Sequence, residues 1–564
     1  MDHFALKSYL IGKGSVLTFS LSCFRCWVFL LALGSLCQQS YSLTQAVNTV
    51  NAEFLWQQGY TGSGVEIGVI DLHQADPSHP ALNGNFLGSQ NFVNGSGWLS
   101  FHATAVAGAA VSQDPNRRGV AYEAGWWTGQ TTNRAGISPQ QKASTVSAET
   151  FAQGLGILNG NPAEVITLSI GVGGSDTAVD QWSLALDHIV STLGTTVVVA
   201  AGNDGPSSSS FSGPPSTAYN ILSVGATGGT GAFVSEDYSQ IAPFSSRGPT
   251  TDGRSKPDIV APGSLLELPT LGGAWVETSG TSFAAPIVAG GAALLIDMGR
   301  TLGLDVDAKV IKSVLLNSAD KLAGWSNSAI APLDPNFGAG QMNLESAYYQ
   351  YAAGKQGAGS VPAIGWDHAQ LLGSTSKTYE IGGTVLGGSM ISATLTWNRE
   401  VATSVENIET AIYASSPLEN LELFLFDQND LLTPVANSMS PIDNVEHLFL
   451  AAPKTGNYVF KVRSASGNVV NPVSYSLAWN LTTTDALPGD FDLDGDVDGR
   501  DFLIWQGDPA VGDLSDWQAN YGSAASLLVN STAVPEPVSL GLLLGWLSLV
   551  TGKCWSRRVS LSAV

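Results

Sequence analysis

One serine set among small residues at the head of a long apolar run constrains this chain most: Gly280-Thr281-Ser282-Phe283-Ala284-Ala285-Pro286, followed directly by Ile287 to Ile296. The run reads as a helix, and the turn before it puts Ser282 at the helix N-terminus. Free N–H groups and the helix dipole favour negative charge there, so an oxyanion formed beside Ser282 would meet backbone donors. Acyl transfer is the chemistry that such a serine suits. An ordinary loop-to-helix junction gives the same letters, so partner residues have to decide between the two readings.

Three upstream segments supply candidates. Gly64-Val65-Glu66-Ile67-Gly68-Val69-Ile70-Asp71 reads as a strand buried on both faces and ending in a carboxylate, the end at which open α/β sheets place their sites. His102 stands in Phe101-His102-Ala103-Thr104-Ala105-Val106-Ala107-Gly108, whose small residues let a helix pack closely behind an imidazole. Asn203, in Ala200-Ala201-Gly202-Asn203-Asp204-Gly205, ends a second apolar strand, Thr195 to Val199, with an amide able to donate to an oxyanion.

The order Asp71, His102, Asn203, Ser282 resembles the subtilases, the subtilisin-like serine proteases. Leu168-Ser169-Ile170-Gly171 resembles the family's substrate-lining strand. Phe244-Ser245-Ser246-Arg247-Gly248-Pro249 and Lys256-Pro257-Asp258-Ile259-Val260-Ala261-Pro262-Gly263 resemble the segments before its serine, and Gly338-Ala339-Gly340-Gln341-Met342-Asn343 its closing turn. The resemblance covers about Ala46 to Ala353 and implies an α/β domain on a parallel sheet. It implies that Ser282 attacks a peptide carbonyl, that His102 transfers the proton and that Asp71 orients the imidazole. Asn203 would complete the oxyanion hole. Ser169, Ile170 and Gly171 on one side and Ala200, Ala201 and Gly202 on the other would bracket the substrate backbone like added strands.

Two turns depart from the family pattern. Asp71-Leu72-His73 replaces the usual small hydroxylic residue and glycine after the aspartate, and His102-Ala103-Thr104 replaces His-Gly-Thr. Leu72 has no hydroxyl to give the carboxylate, His73 lacks the backbone freedom of glycine, and the Ala103 methyl is expected to narrow the substrate side of the imidazole. The rival to an active peptidase is therefore a catalytically impaired subtilase scaffold that acts as a surface binding protein.

At 564 residues the chain exceeds one hydrophobic core, so several domains are expected. With 47 Asp and Glu against 24 Lys and Arg, a net charge of −23 argues against a nucleic-acid partner. Lys7, Lys13 and Arg25 precede the apolar run Trp27 to Leu36, with small residues at Ser40-Tyr41-Ser42, so residues 1–42 read as a signal peptide. Cys23, Cys26 and Cys37 fall in that leader and Cys554 in the tail, which leaves no thiol from Leu43 to Lys553 and no disulfide to support the mature domains. The peptidase pattern, residues 43–353, starts so soon after the leader that the reading has no room for the inhibitory pro-domain common in the family.

Beyond it, residues 354–374 read as a Gly-rich linker, and 375–482 as a β-sandwich with strands near Ile391 to Trp397, Leu421 to Phe426, Gly456 to Val462 and Val473 to Trp479. That stretch is similar to the jelly-roll domains appended to bacterial subtilases, and a stabilising or docking role is expected, with a cell-surface ligand as the alternative. In residues 487–522, Asp490, Asp492, Asp494, Asp498 and Asp501 stand at loop positions one, three, five, nine and twelve, with Gly495 at six and the Asp496 carbonyl at seven. Calcium needs this spacing of hard oxygen ligands, and the loop resembles those of dockerins, making a small EF-hand/dockerin-like module. Val534-Pro535-Glu536-Pro537, an apolar run to Val550 and Lys553, Arg557 and Arg558 resemble a PEP-CTERM sorting signal over residues 534–558. The whole reading is an exported or surface-sorted peptidase acting on proteins or peptides. It is handled by export and C-terminal sorting machinery and held at the membrane only transiently, with calcium as a structural ion and no cofactor for catalysis.

Overall fold

The computed structural model describes residues 42–92, 97–131, 162–171, 176–206, 211, 213–229, 237–373, 376–403, 413–465, 469–481, 483–484, 489, 497, 499–507 and 512–522. Among these, β1 (Glu66–Asp71), β2 (Phe86–Asn91), β3 (Gly125–Gln130), β4 (Val165–Leu168), β5 (Thr196–Ala200), β6 (Leu222–Thr227) and β7 (Ile259–Pro262) form one sheet in the order β2-β3-β1-β4-β5-β6-β7. Every pairing in it is parallel. Strands β4 to β7 are buried along their whole length, as parallel strands covered on both faces must be, and this is why Thr196-Val197-Val198-Val199-Ala200 lacks polar alternation.

Helices α1 (Ser42–Thr49), α2 (Phe101–Val111), α3 (Gln181–Leu193), α4 (Thr281–Leu302), α5 (Ala308–Asn317) and α6 (Leu344–Ala352) flank the sheet. A hairpin of β8 (Leu266–Pro269) and β9 (Trp275–Thr278) leads into α4. Helix α4 is buried from Phe283 to Gly299 and packs on β4, β5, β6, β7 and α2. It can come this close because of its small residues: a Cβ on Gly290 would sit 2.6 Å from the Val120 Cβ. The same device seats α2, where a Cβ on Gly108 would lie 2.1 Å from Pro269 Cδ. Gly303 stops α4 in the left-handed region at φ 69°, and Leu304 N–H reaches back 2.7 Å to Gly299 O. Among the described residues α4 is the one helix long and apolar enough to cross a membrane, but 94% of its apolar window is buried in the protein, so it is a core helix.

A β-rich region follows. One sheet runs β10-β12-β17-β14-β15, built from β10 (Gly359–Val361), β12 (Lys377–Ile381), β14 (Leu421–Asp427), β15 (Asp430–Ser438) and β17 (Tyr458–Ser464). The other runs β11-β18-β13-β16, from β11 (Ile364–Gly373), β13 (Met390–Trp397), β16 (Val445–Ala451) and β18 (Val469–Leu481). The two share one buried cluster that includes Leu371, Tyr379, Trp397, Leu425, Phe460 and Trp479, as a sandwich requires. The strands expected from alternation are present, with ends shifted by up to four residues.

The expected linker of 354–374 is different in the structure. Gly359–Val361 pairs with β12 and Ile364–Gly373 with β18, so the β region begins inside it. Its glycines read as flexible, but tertiary pairing overrides that preference once Trp366 is fully buried, with Nε1 donating to Tyr351 O at 3.0 Å. Trp366, Val445 and Ala478 belong to the same core cluster as α4 and the parallel sheet. Ser313 Oγ meets Ser476 Oγ at 2.7 Å across the join, and Gln350 Nε2 donates to Trp479 O at 3.2 Å. The two regions are packed together as one body of core.

Beyond the β region, α7 (Gly499–Gly507) and α8 (Leu514–Asn520) pack through Phe502 and Trp517, with ring centroids 5.0 Å apart. Of the expected calcium ligands, Asp490, Asp492, Asp494, Asp496 and Asp498 lie outside the described residues, as do residues 1–41 of the expected signal peptide and residues 534–558 of the expected sorting tail. Asp501 is described and fully buried.

Candidate active site

Asp71 is the last residue of β1, and its place in the sheet decides its chemistry. β1 lies between β3 and β4, so all three deliver their C-terminal ends to the same edge. The Asp71 carbonyl is fixed by Thr131, which donates from N at 3.0 Å and from Oγ1 at 2.9 Å. The carboxylate is 3% exposed. Oδ1 accepts the Leu72 N–H at 2.6 Å, and Oδ2 lies 2.7 Å from His102 Nδ1. Leu72 supplies no hydroxyl, but its backbone N–H gives Oδ1 a donor. With Oδ2 as acceptor, the proton sits on Nδ1 and the neutral ring keeps Nε2 as a base.

His102 is brought there by the start of α2. Ser100 caps this helix, its Oγ accepting the Ala103 N–H at 3.0 Å. The side chain of His102 is 31% exposed, and its ring meets Phe283 of α4 at a centroid distance of 5.5 Å. Burial works against a charge on the ring, yet the charge of Asp71 and the hydrogen bond to it outweigh this and hold the His102 pKa above the ordinary histidine value. The protonated ring therefore stabilises the fold. That contribution is complete below the ordinary pKa and is lost as pH rises through the raised one.

The structure changes the reading of two departures from the family pattern. Ala103 is fully buried and is absent from the cleft lining, so its methyl faces the core and leaves the substrate side of the imidazole alone. His73 lines the cleft, but among the described residues only Asn51, Ala178 and Leu265 have positive φ without being glycine. The backbone at His73 thus needs no glycine.

Ser282, half-buried, is the second residue of α4. Four residues on, Pro286 has no N–H to give the Ser282 carbonyl, and that carbonyl instead accepts the Ser169 hydroxyl at 2.7 Å. Ser169 therefore ties the exit of β4 to the first turn of α4. Thr281 acts on the other side. Its N–H and Oγ1 lie 2.9 and 3.0 Å from Asn203 Oδ1, and Gly202 N–H donates to Thr281 Oγ1 at 3.1 Å. With its oxygen engaged, the Asn203 amide has only N–H groups left to offer. This orienting role of Thr281 was not read from the sequence, although its position beside Ser282 was the available signal.

Asp71, His102, Ser282 and Asn203 line one cleft of about 470 Å³, together with Ser169, Ile170, Gly171, Ala200 and Gly202. Leu72, His73, Ser100, Phe101, Ser216 and Thr281 complete the lining. Ser216 had no sequence signal. Of the residues expected to touch substrate, Ala201 is not on the cleft: it is fully buried and its N–H donates to Val224 O at 2.9 Å. The period-two alternation of an extended segment turns it away from its neighbours. Among the described residues no group of three or more His, Cys, Asp or Glu is placed to hold a metal ion.

Asp71, His102 and Ser282 line one cleft of a parallel-sheet domain, and residues 62–340 match the subtilase family. The chain is 31% identical over 323 residues to serine protease AprX of Bacillus subtilis (strain 168), covering 51% of this chain and 67% of that protein. It is 30% identical over 275 residues to the thermophilic serine proteinase of Bacillus sp. (strain AK1), covering 48% and 60%. With subtilisin E of Bacillus subtilis (strain 168) it shares 32% over 271 residues, covering 47% and 64%. The chain thus spans less than two thirds of the length of the last two. It belongs to the subtilase family of serine peptidases.

Proposed function

We propose that this chain is an endopeptidase that cleaves proteins or peptides through an acyl-enzyme on Ser282. Ser282 Oγ adds to the scissile carbonyl carbon while its proton passes to His102 Nε2. Asp71 holds the imidazole with Nε2 inward and stabilises the imidazolium. The tetrahedral oxyanion is met by the Ser282 N–H, in the first turn of α4, and by the Asn203 amide. Collapse breaks the C–N bond, and His102 gives its proton to the departing amine. Water, deprotonated by His102, then releases the acid and restores Ser282. Ser169 to Gly171, with Ala200 and Gly202, flank the substrate backbone. The observation that carries this reading is the 2.7 Å contact from His102 Nδ1 to Asp71 Oδ2 in a cleft that also holds Ser282 and Asn203.

A fluorophosphonate probe tests it. Purified protein is expected to take one adduct, mapped by mass spectrometry to the peptide containing Ser282; no adduct on folded protein, or one elsewhere, refutes the reading. Asn203→Ala is expected to lower kcat by ~10²–10³ with KM little changed, because the amide acts on charge present only in the transition state. A change confined to KM would remove Asn203 from the oxyanion hole.

The reading extends to the ends of the chain. Residues 1–42 serve export, 534–558 serve sorting at the envelope with transient anchoring, and 487–522 bind calcium. Two features at the exit of the acidic loop support the last point. Val497 is fully buried, and Asp501, at the twelfth position, is fully buried in the first turn of α7, where a terminal carboxylate ligand is needed. Calcium would be held by Asp490, Asp492, Asp494, Asp498, Asp501 and the carbonyl of Asp496, and would neutralise carboxylates that otherwise repel. Titration calorimetry on the whole chain is expected to show saturable calcium binding that Asp494→Ala removes. Equal heats from both proteins would locate binding elsewhere.

A further inference from the structure

One residue of the cleft, Ser216, opens a segment that the β region holds at its far end. Ser216 lines the cleft, and the next residue, Thr217, gives its carbonyl to Arg254 Nη1 at 2.6 Å. The same guanidinium donates from Nη2 to Asp176 O at 2.9 Å, so segments 176–178 and 216–220 are tied together. Its carbon lies 4.2 Å from the centroid of the Tyr219 ring. A second guanidinium, from Arg399, lies 4.3 Å from the same ring. Arg399 belongs to the β region, two residues after β13.

Its contacts form a closed set. Arg399 Nη2 donates to Ala178 O at 2.9 Å, and Nε donates to Asp187 Oδ2 at 2.8 Å, with Nη2 on the same oxygen. Arg399 N–H donates to Asn220 Oδ1 at 2.8 Å, and Asn220 Nδ2 returns to Arg399 O at 2.9 Å. The Asn220 N–H donates to Asp187 Oδ1 at 2.8 Å. Asp187 is fully buried and Arg399 is 5% exposed. Ala178, whose carbonyl Arg399 holds, is at φ 54°, a conformation a residue with a Cβ keeps only when its surroundings impose it. Asp443, also of the β region, accepts the N–H of Ser255, the residue after Arg254, at 2.8 Å.

We propose that Arg399 is a positioning residue for the substrate cleft. It fixes Ala178 directly and the 216–220 wall through Asp187, Asn220 and Tyr219, so a residue of the β region sets which substrate side chain fits against Ser216. The inference rests on the peptidase reading above. A guanidinium is required because one planar group must serve the carboxylate and the Ala178 carbonyl together while stacking on Tyr219. Arg399→Lys keeps the charge beside Asp187 but loses that simultaneous reach.

The test uses the whole chain with Arg399→Gln and Arg399→Lys. Each is assayed on peptides that differ only in the residue preceding the cleaved bond, and for its rate of labelling by a small fluorophosphonate. For Arg399→Gln the expected loss in kcat/KM is roughly 10- to 10²-fold on the best peptides, mostly in KM, with the order of preference altered. The labelling rate should stay within about twofold, because the probe does not use that wall. Arg399→Lys, which keeps the buried pair and remains folded, should show the same altered preference in weaker form. Variants that melt earlier but keep the wild-type order of preference and KM overturn the proposal. If the wild type neither labels nor cleaves, the peptidase reading fails and this inference falls with it; if it does both and the variants match it, only the inference fails.

Discussion

Ser282→Ala is expected to lower kcat on the order of 10⁶-fold, the scale that attends removal of a triad nucleophile, while leaving the thermal transition near the wild-type value. The two effects separate because the hydroxyl carries the chemistry and little of the fold. The contact that seats Ser282 is its backbone carbonyl on Ser169, and alanine keeps that carbonyl. Some 10³–10⁴-fold over water should persist from oxyanion stabilisation and substrate binding. The measurement is turnover of a peptide per mole of folded protein beside a calorimetric melt. A variant that loses less than tenfold would show that Ser282 is not the nucleophile, and one that loses its melting transition would show the substitution to be structural.

Asp71→Asn is expected to cost about 10⁴-fold in kcat and to move the pH profile. On the proposed mechanism the base form of His102 is the active one, and Asp71 raises its pKa. Turnover should therefore fall on the acid side at a higher pH than an unperturbed histidine would give. Removing the carboxylate takes away the charge that raises the pKa and leaves burial, which lowers it, so the acid limb should shift to lower pH even as the plateau collapses. Stability responds in the same sense: the wild type loses the His102 contribution as pH rises through the raised pKa, and the variant lacks that step. A pH–rate profile with an unmoved acid limb would separate Asp71 from the titration of His102.

The residues proposed for catalysis were legible because each stands at the end or the start of an element that the sequence announces. Asp71 closes an apolar strand, Asn203 follows another, and Ser282 opens a helix of small and apolar residues. What such reading could not supply was direction. Ala201 and Ala103 were expected near substrate because of their neighbours in the chain, but one is turned into the sheet and the other into the helix interface, and only packing decides that. The hydroxyl missing at Leu72 does not leave Asp71 Oδ1 without a donor, since the backbone N–H reaches it. The short strands of the β region were legible from alternation. Their attachment was not, since nothing in Gly354 to Ser360 announces that Trp366 will be buried against α6. Arg399 was invisible for the same reason, because its partners lie about 180 to 220 residues upstream.

On the proposed reading the chain is exposed to its own activity, and the join between the two regions bears on where it can be cut. Cleavage requires several residues in extended form with free amides and carbonyls. Between α6 and β11 the chain offers few such stretches: Gln356 N–H is bonded to Trp366 O at 2.7 Å, and Gly359–Val361 is already a strand in a sheet. To nick this joint another copy would first have to lift Trp366 out of the common core. On the proposed peptidase reading, a nick between α6 and β11 is thus expected to need local opening of this join, where a tethered two-domain design would offer a free strand.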